Sequence, residues 1–214
     1  MQLLHRRAAL LCICLAANAQ NAGRVFKTAL RNYVTMEQTL PDLEHYPHSI
    51  SARTDSVSMV GRNSWVSGFY PAALWYLYEY TGDKQVYEWA VARSKEIEKL
   101  QTSTRTHDLG FMVYCPLGNG ARLTTDPELK AEYEKVIVRT AQSLCTRFSE
   151  TVGCIRSWNN KDKSENPYKV IIDNMMNLEL LFRASEISGD PTYREIAIKH
   201  ADTTLKNHFR KDGS

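Results

Sequence analysis

Three times along the chain an amphipathic run reaches a turn containing Asp and restarts as a second run with an aromatic residue in its early turns. The three stretches are LYEYTGDKQVYEWAVARSKEIEKL, LTTDPELKAEYEKVIVRTAQSL and ASEISGDPTYREIAIKHADTTL. Apolar residues recur at helical spacing from Ala29 onward, and strand-like alternation is scarce and short. In the third stretch Gly189 suits a helix C-terminus, while Asp190 and Pro191 suit the cap and first position of the next helix. Each stretch therefore predicts a helical hairpin, and the chain predicts an all-α domain.

The Asp-marked turns are unevenly spaced and further apart than a tetratricopeptide period, which disfavours a regular superhelical scaffold. Hairpins of this size with long loops at one end suit an α/α toroid of alternating inner and outer helices. Three hairpins make only part of such a ring, so the expectation is an incomplete barrel occupying residues 24–214. The final residues, Lys211 to Ser214, form a turn with nothing after it, which reads as a truncated chain.

Within 214 residues, 43% apolar and 24% charged, there is material for one substantial core. The net charge of +3 is spread without a Lys/Arg block, which excludes a nucleic-acid footprint. Arg6 and Arg7 precede an apolar run from Ala8 to Ala17 and a small-residue site at Ala17-Asn18-Ala19. That is the layout of a secretory signal peptide over residues 1–19, and its apolar run is too short to span a bilayer. The expected destination is the periplasm or the exterior, with no membrane association after removal of the signal; lipid anchoring at Cys12 or Cys14 is the minority reading. Cys115, Cys145 and Cys154 remain, an odd number without CxxC spacing, which argues against structural zinc and against a disulfide framework. Free thiols are expected, with a Cys145–Cys154 bridge as the alternative.

Two acids stand at helix entrances. In IIDNMMNLELLFRAS, Asp173 precedes Asn177, Leu181 and Ala184 on one helix face. As a cap it would accept a backbone N–H bond. As a partly desolvated acid among Ile171, Ile172, Met175 and Met176 it would hold a proton near neutral pH. In THDLGFMVY, His107 and Asp108 open a second apolar helix. Two such carboxyls can serve sugar cleavage, one donating a proton and the other orienting water or steadying charge. Trp65 and Trp158, both in loops, offer flat faces for a sugar ring, whereas Trp75, Tyr78 and Trp89 at helical spacing belong to the core. His200, Thr204 and His208 share a face that reads as solvated, without a metal-binding pattern. Neither a metal nor an organic cofactor is expected.

SWVSGFYPAALWYLYEYTGD, THDLGFMVY, IRSWNN and above all the block from IIDNMMNLELLFRAS to the last residue resemble glycoside hydrolase family 88, the unsaturated glucuronyl hydrolases. The resemblance implies a six-hairpin α/α barrel that removes a 4,5-unsaturated uronic acid from the non-reducing end of lyase-generated oligosaccharides, by hydrating the enol ether. By position it implies Asp173 as general acid/base, Asp108 as the second essential acid, and His107, Trp65 and Trp158 as substrate contacts. Asn177, one turn after Asp173, joins the substrate-binding set. Family members are nearly twice as long. The alternatives are the related unsaturated rhamnogalacturonyl hydrolases, which act on pectin fragments, and a non-catalytic helical fragment that binds carbohydrate or serves as a scaffold.

Overall fold

The structure, a computed structural model, describes residues 22–159 and 168–213. The expected signal peptide at 1–19 lies outside the described residues. Helix α1 covers residues 22–39 and leads into an antiparallel hairpin of β1, His45–Ile50, and β2, Val57–Gly61. The helices that follow are α2 (Phe69–Thr81), α3 (Lys84–Glu98), α4 (Cys115–Leu123) and α5 (Pro127–Cys145). A π-helical turn, Gly110–Tyr114, runs directly into α4. Two short strands, β3 (Phe148–Ser149) and β4 (Cys154–Ile155), precede α6 (Asn174–Asn177), α7 (Glu179–Ser188) and α8 (Pro191–His208).

The three Asp-marked turns are the links of α2 to α3, α4 to α5 and α7 to α8, as their sequences predict. Asp83 accepts from the backbone N–H groups of Gln85 (2.8 Å) and Val86 (3.2 Å). Asp126 does the same for Glu128 (2.9 Å) and Leu129 (3.2 Å), and Asp190 for Thr192 (2.9 Å). These bonds satisfy donors that a helix start leaves without an intrahelical partner. Gly82 and Gly189 end the preceding helices at φ of 66° and 75°, where a Cβ would be strained.

Helices α2, α4 and α7 form an inner row, with α3, α5 and α8 packed outside it, in the all-α arrangement of an incomplete toroid. Trp75, Leu117, Ile137, Leu144 and Leu181 fill the space between the rows with no exposed surface. The indole N–H of Trp75 donates to Ser94 Oγ at 3.0 Å, consistent with the core role expected of it. Buried Arg93 of α3 grips Glu37 of α1 through two bonds of 2.6 and 2.9 Å, which ties the first helix to the outer row. The β1–β2 hairpin had no counterpart in the helical reading of the sequence. It holds its place through Tyr46, which is fully buried.

Ile172, Met176, Leu205 and Phe209 leave an apolar surface along α6 and the end of α8, at 50–65% exposure. No described helix is long and apolar enough to cross a membrane. Cys115, Cys145 and Cys154 are free thiols, and burial pushes the first two up to about 11 and about 12, so neither is a thiolate at neutral pH.

Candidate active site

The inner helices start at the same end of the molecule, opposite the Asp-capped turns. Two glycines let these starts approach. A Cβ on Gly68, just before α2, would fall 2.1 Å from the Phe111 carbonyl oxygen, and one on Gly110 would fall 2.7 Å from the Asn177 Cα. The backbone of the π-turn is thereby wedged between the start of α2 and the end of α6. Asn177 completes the joint, its Oδ1 accepting the Phe111 N–H at 2.9 Å. A π-turn is a local irregularity that often accompanies functional sites, and here it begins two residues after Asp108.

This joint brings together His107, Asp108 and Asp173. His107 Nε2 lies 3.1 Å from Asp108 Oδ1 and 3.8 Å from Asp173 Oδ1. His107 is 1% exposed, with its backbone N–H on the Ser157 carbonyl at 3.0 Å, and its ring meets Trp158 edge-on at 6.1 Å. The Thr106 hydroxyl donates to Asp108 Oδ2, and Thr106 also pairs with Trp158 across a single β-bridge.

The two acids sit in opposite electrostatic settings. Burial alone would raise Asp108, but hydrogen bonds from His107 and Thr106, with the charges of His107 and Arg147, hold it below the usual carboxylate range. Asp173 is raised, first by burial and further by the negative Asp108, while His107 and the Asn174 backbone oppose the shift. Its side chain makes no cap bond to α6, and Oδ1 has no hydrogen-bond partner among the described residues. The cap reading of Asp173 therefore fails, because the residue itself is already helical, at φ −64° and ψ −19°, and its carboxyl turns to His107. Donor atoms of the three residues lie within 4.8 Å of one another, close enough to face a common cation. Within this cluster the histidine nitrogen lies nearer Asp108 than Asp173, at 3.1 against 3.8 Å.

Trp65 and Trp158 are 51% and 40% exposed. Trp65 packs against Phe69 and Phe111 at centroid distances of 5.9 and 6.1 Å, which sets an aromatic shelf beside the π-turn. Asn177 is fully buried, with its Oδ1 engaged by the Phe111 N–H and its Nδ2 without a partner among the described residues. His200 corrects the sequence reading of a solvated face. It has no exposed surface, because β4 covers this part of α8 and the Ile155 N–H donates to its Nδ1 at 2.9 Å. Asn174, beside Asp173 and also fully buried, was not singled out by the sequence; only its neighbour's acid drew attention.

No protein-family model matches the chain. An unsaturated glucuronyl hydrolase from Formosa agariphila is 42% identical over 200 residues, covering 91% of this chain and 48% of that protein. A solved unsaturated glucuronyl hydrolase specific for heparin superposes with a TM-score of 0.81 at 38% identity, over 89% of this chain and 49% of that one. The chain belongs to the unsaturated glucuronyl hydrolase family. An unsaturated chondroitin disaccharide hydrolase from Streptococcus pyogenes is 30% identical over 77% of this chain and 41% of its own length. The chain thus spans about half the length of the curated relatives it matches.

Proposed function

We propose that this chain carries the proton-transfer half of a glycosidase site that removes 4,5-unsaturated uronic acid from oligosaccharides released by polysaccharide lyases. The observation that carries the reading is the acid pair around His107, with Asp173 pushed up and Asp108 held down. Neighbouring carboxyls whose environments separate their titrations divide into a proton donor and a standing anion. Asp173, protonated, delivers its proton to carbon 4 of the enol ether, and the positive charge that develops at carbon 5 is met by water. The Asp173 carboxylate takes the proton from that water, and the resulting hemiketal opens to release the rest of the sugar. Asp108 stays ionised and steadies the developing charge. The exposed faces of Trp65 and Trp158 stack on the sugar, which orients it over the acids.

The names of the relatives, one specific for heparin and one for chondroitin disaccharides, support a glycosaminoglycan-derived substrate over a pectin fragment. Export to the periplasm or the exterior is part of the same reading and rests on the layout of residues 1–19.

The test is to supply unsaturated disaccharides from lyase digests of heparin and of chondroitin and to follow the enol-ether absorbance. Decay of that absorbance with release of the second sugar is the expected result. Binding of unsaturated and saturated sugars alike, with no decay, would leave the non-catalytic carbohydrate-binding reading.

A further inference from the structure

The β3–β4 hairpin pairs Phe148 with Ile155 and Ser149 with Cys154, and the same register continued one step sets Arg147 opposite Arg156. The bonds of that step are formed. The Arg156 N–H donates to the Arg147 carbonyl at 2.9 Å, and the Arg147 Nε–H donates to the Arg156 carbonyl at 2.9 Å. Like charges directly opposite one another across a strand pair destabilise it, so this pair calls for an offsetting group.

Both arginines line one cavity of about 470 Å³ with Thr104, Thr146, Asn159 and Tyr168, and no acid lines it among the described residues. Arg147 is 7% exposed. Its Nε and Nη1 donate to the carbonyls of Arg156 and Thr104, while its Nη2 has no partner among the described residues. Arg156 lies over the Tyr168 ring at 4.8 Å, and its Nε is likewise buried without a partner. Tyr168 is fixed in turn, its hydroxyl shared between the Arg147 and Cys154 carbonyls at 2.6 and 2.8 Å. Among the described residues these are the only buried guanidinium nitrogens left so. Arg93, the other buried arginine, is closed by both oxygens of Glu37. Arg147 is buried in the same way but meets no such carboxylate. Burial and the Arg156 charge hold its guanidinium below the usual value, and Asp108, the opposing charge, is already engaged by His107 and Thr106.

We propose that this cavity is an oxyanion site, in which the unpartnered donors of Arg147 and Arg156 hold a sulfate or carboxylate group. A guanidinium presents a planar fork of N–H donors that matches such a group, and an anion between two of them turns their repulsion into shared attraction. The cavity is the size of a small-molecule pocket, with room for more than one ion. Its walls run on along the chain into the acid site. Asn159 follows Trp158, whose ring meets His107 edge-on at 6.1 Å. Thr104 lies two residues before Thr106, which pairs with Trp158 and donates to Asp108. That continuity favours an anionic group borne by the oligosaccharide as the occupant, with free inorganic sulfate as the other source. The oligosaccharide as source rests on the proposed glycosidase reading; binding of the anion does not.

The experiment is a titration of the 15N-arginine-labelled chain with sodium sulfate at constant ionic strength, with sodium chloride as the control. The side-chain N–H signals of Arg147 and Arg156 should shift together and saturate with sulfate, and not with chloride. Arg156→Gln removes the charge but keeps the backbone bonds of position 156, and it should weaken sulfate binding at least about tenfold, the scale of one charge-assisted hydrogen bond. Arg156→Lys, which keeps the charge without the fork, should recover part of that loss. Unshifted signals, or equal affinity in a folded Arg156→Gln chain, would overturn the site. The same signals separate the sources. Unsaturated chondroitin disaccharides, sulfated and unsulfated, should shift them at lower concentration than inorganic sulfate does, the sulfated one alone if the group held is a sulfate. Signals that answer to inorganic sulfate and to neither disaccharide would overturn the oligosaccharide as the source. Failure of enol-ether decay in the unmodified chain would remove the proposed reaction, but the sulfate titration would still decide the site.

Discussion

Among the described residues five aspartates stand at helix entrances, three at one end and two at the other, and they do different work. Asp83, Asp126 and Asp190 precede outer helices in extended backbone, with ψ of 121°, 113° and 114°, and bind the first N–H groups of their own helices. Asp108 and Asp173 precede inner helices, and their carboxyls turn to His107, 66 positions from Asp173 in one case and adjacent in the other. Residue type and position relative to the helix are the same at both ends. What differs is backbone conformation, since a residue already in the helical region cannot fold its short side chain back onto its own N2 and N3 amides. Asp173, at ψ −19°, is released from capping and made available to another partner.

The largest effect that would break this comparison is expected at Asp173. Asp173→Asn should reduce turnover by at least about a hundredfold, the lower range for general acid–base catalysis, with substrate binding largely kept. Asp173→Ala should lose as much rate yet change stability by no more than about 0.5 kcal/mol, because no cap bond is lost. Rates from enol-ether decay and unfolding midpoints from denaturant titration, taken on both variants, check this. An active Asp173→Asn chain would sink the mechanism, and a large stability loss in Asp173→Ala would return the residue to the caps.

The capped end was legible because its interactions are local: the bonds of Asp83, Asp126 and Asp190 reach only two or three residues along the chain. The acids were legible as candidates from their apolar surroundings and from the family resemblance. Their meeting at one histidine was not, because it depends on the close approach that Gly68 and Gly110 permit between segments far apart in sequence. His200 was misread for the same reason. Its helix face looks polar in sequence, and only the strand at Cys154–Ile155 makes it buried. The buried Glu37–Arg93 pair and the β1–β2 hairpin likewise follow from long-range contacts that periodicity does not encode.

A second way to sharpen the comparison is pH. Turnover needs Asp173 protonated and Asp108 ionised, so the rate should fall as pH drops through the lowered value of Asp108 and again as pH rises through the raised value of Asp173. The stability signs are opposite in the same way. Asp108, lowered on folding, stabilises above its unfolded value of about 3.9, and that contribution is lost as pH falls through its folded value. Asp173, raised on folding, contributes fully below about 3.9 and loses the contribution as pH rises through its folded value. Asp108→Asn should flatten the acid side of the stability profile and Asp173→Asn the side above it. Identical profiles in both variants would mean that the two carboxyls are not held in different environments.

Smaller effects belong to the caps. Asp126→Ala removes the acceptor for two amides at the start of α5 and should cost about 0.5–2 kcal/mol. Because Asp126 lies at the end opposite His107, the enol-ether rate and its pH profile should not change. A specific loss of rate at unchanged stability would show that this end also takes part in the reaction.

The smallest effect comes from making the same chemical change at the capped end that is ruinous at the other. Asn ranks with Asp as an N-cap, because one amide oxygen suffices to accept the N2 or N3 N–H. Asp83→Asn, Asp126→Asn and Asp190→Asn should therefore leave both the unfolding midpoint and the rate nearly unchanged at neutral pH. At Asp190 a faint pH signature should remain, because the Thr192 backbone N–H favours its ionised form and holds the carboxyl below its usual value. Stability from that ionised form is present above the unfolded value and fades as pH falls through the folded one, so wild type and Asp190→Asn should converge in acid. The measurement is a pair of midpoint-against-pH curves. A constant gap between them down to low pH would mean that charge is irrelevant to the cap, leaving hydrogen-bond geometry alone to separate Asp190 from Asp173.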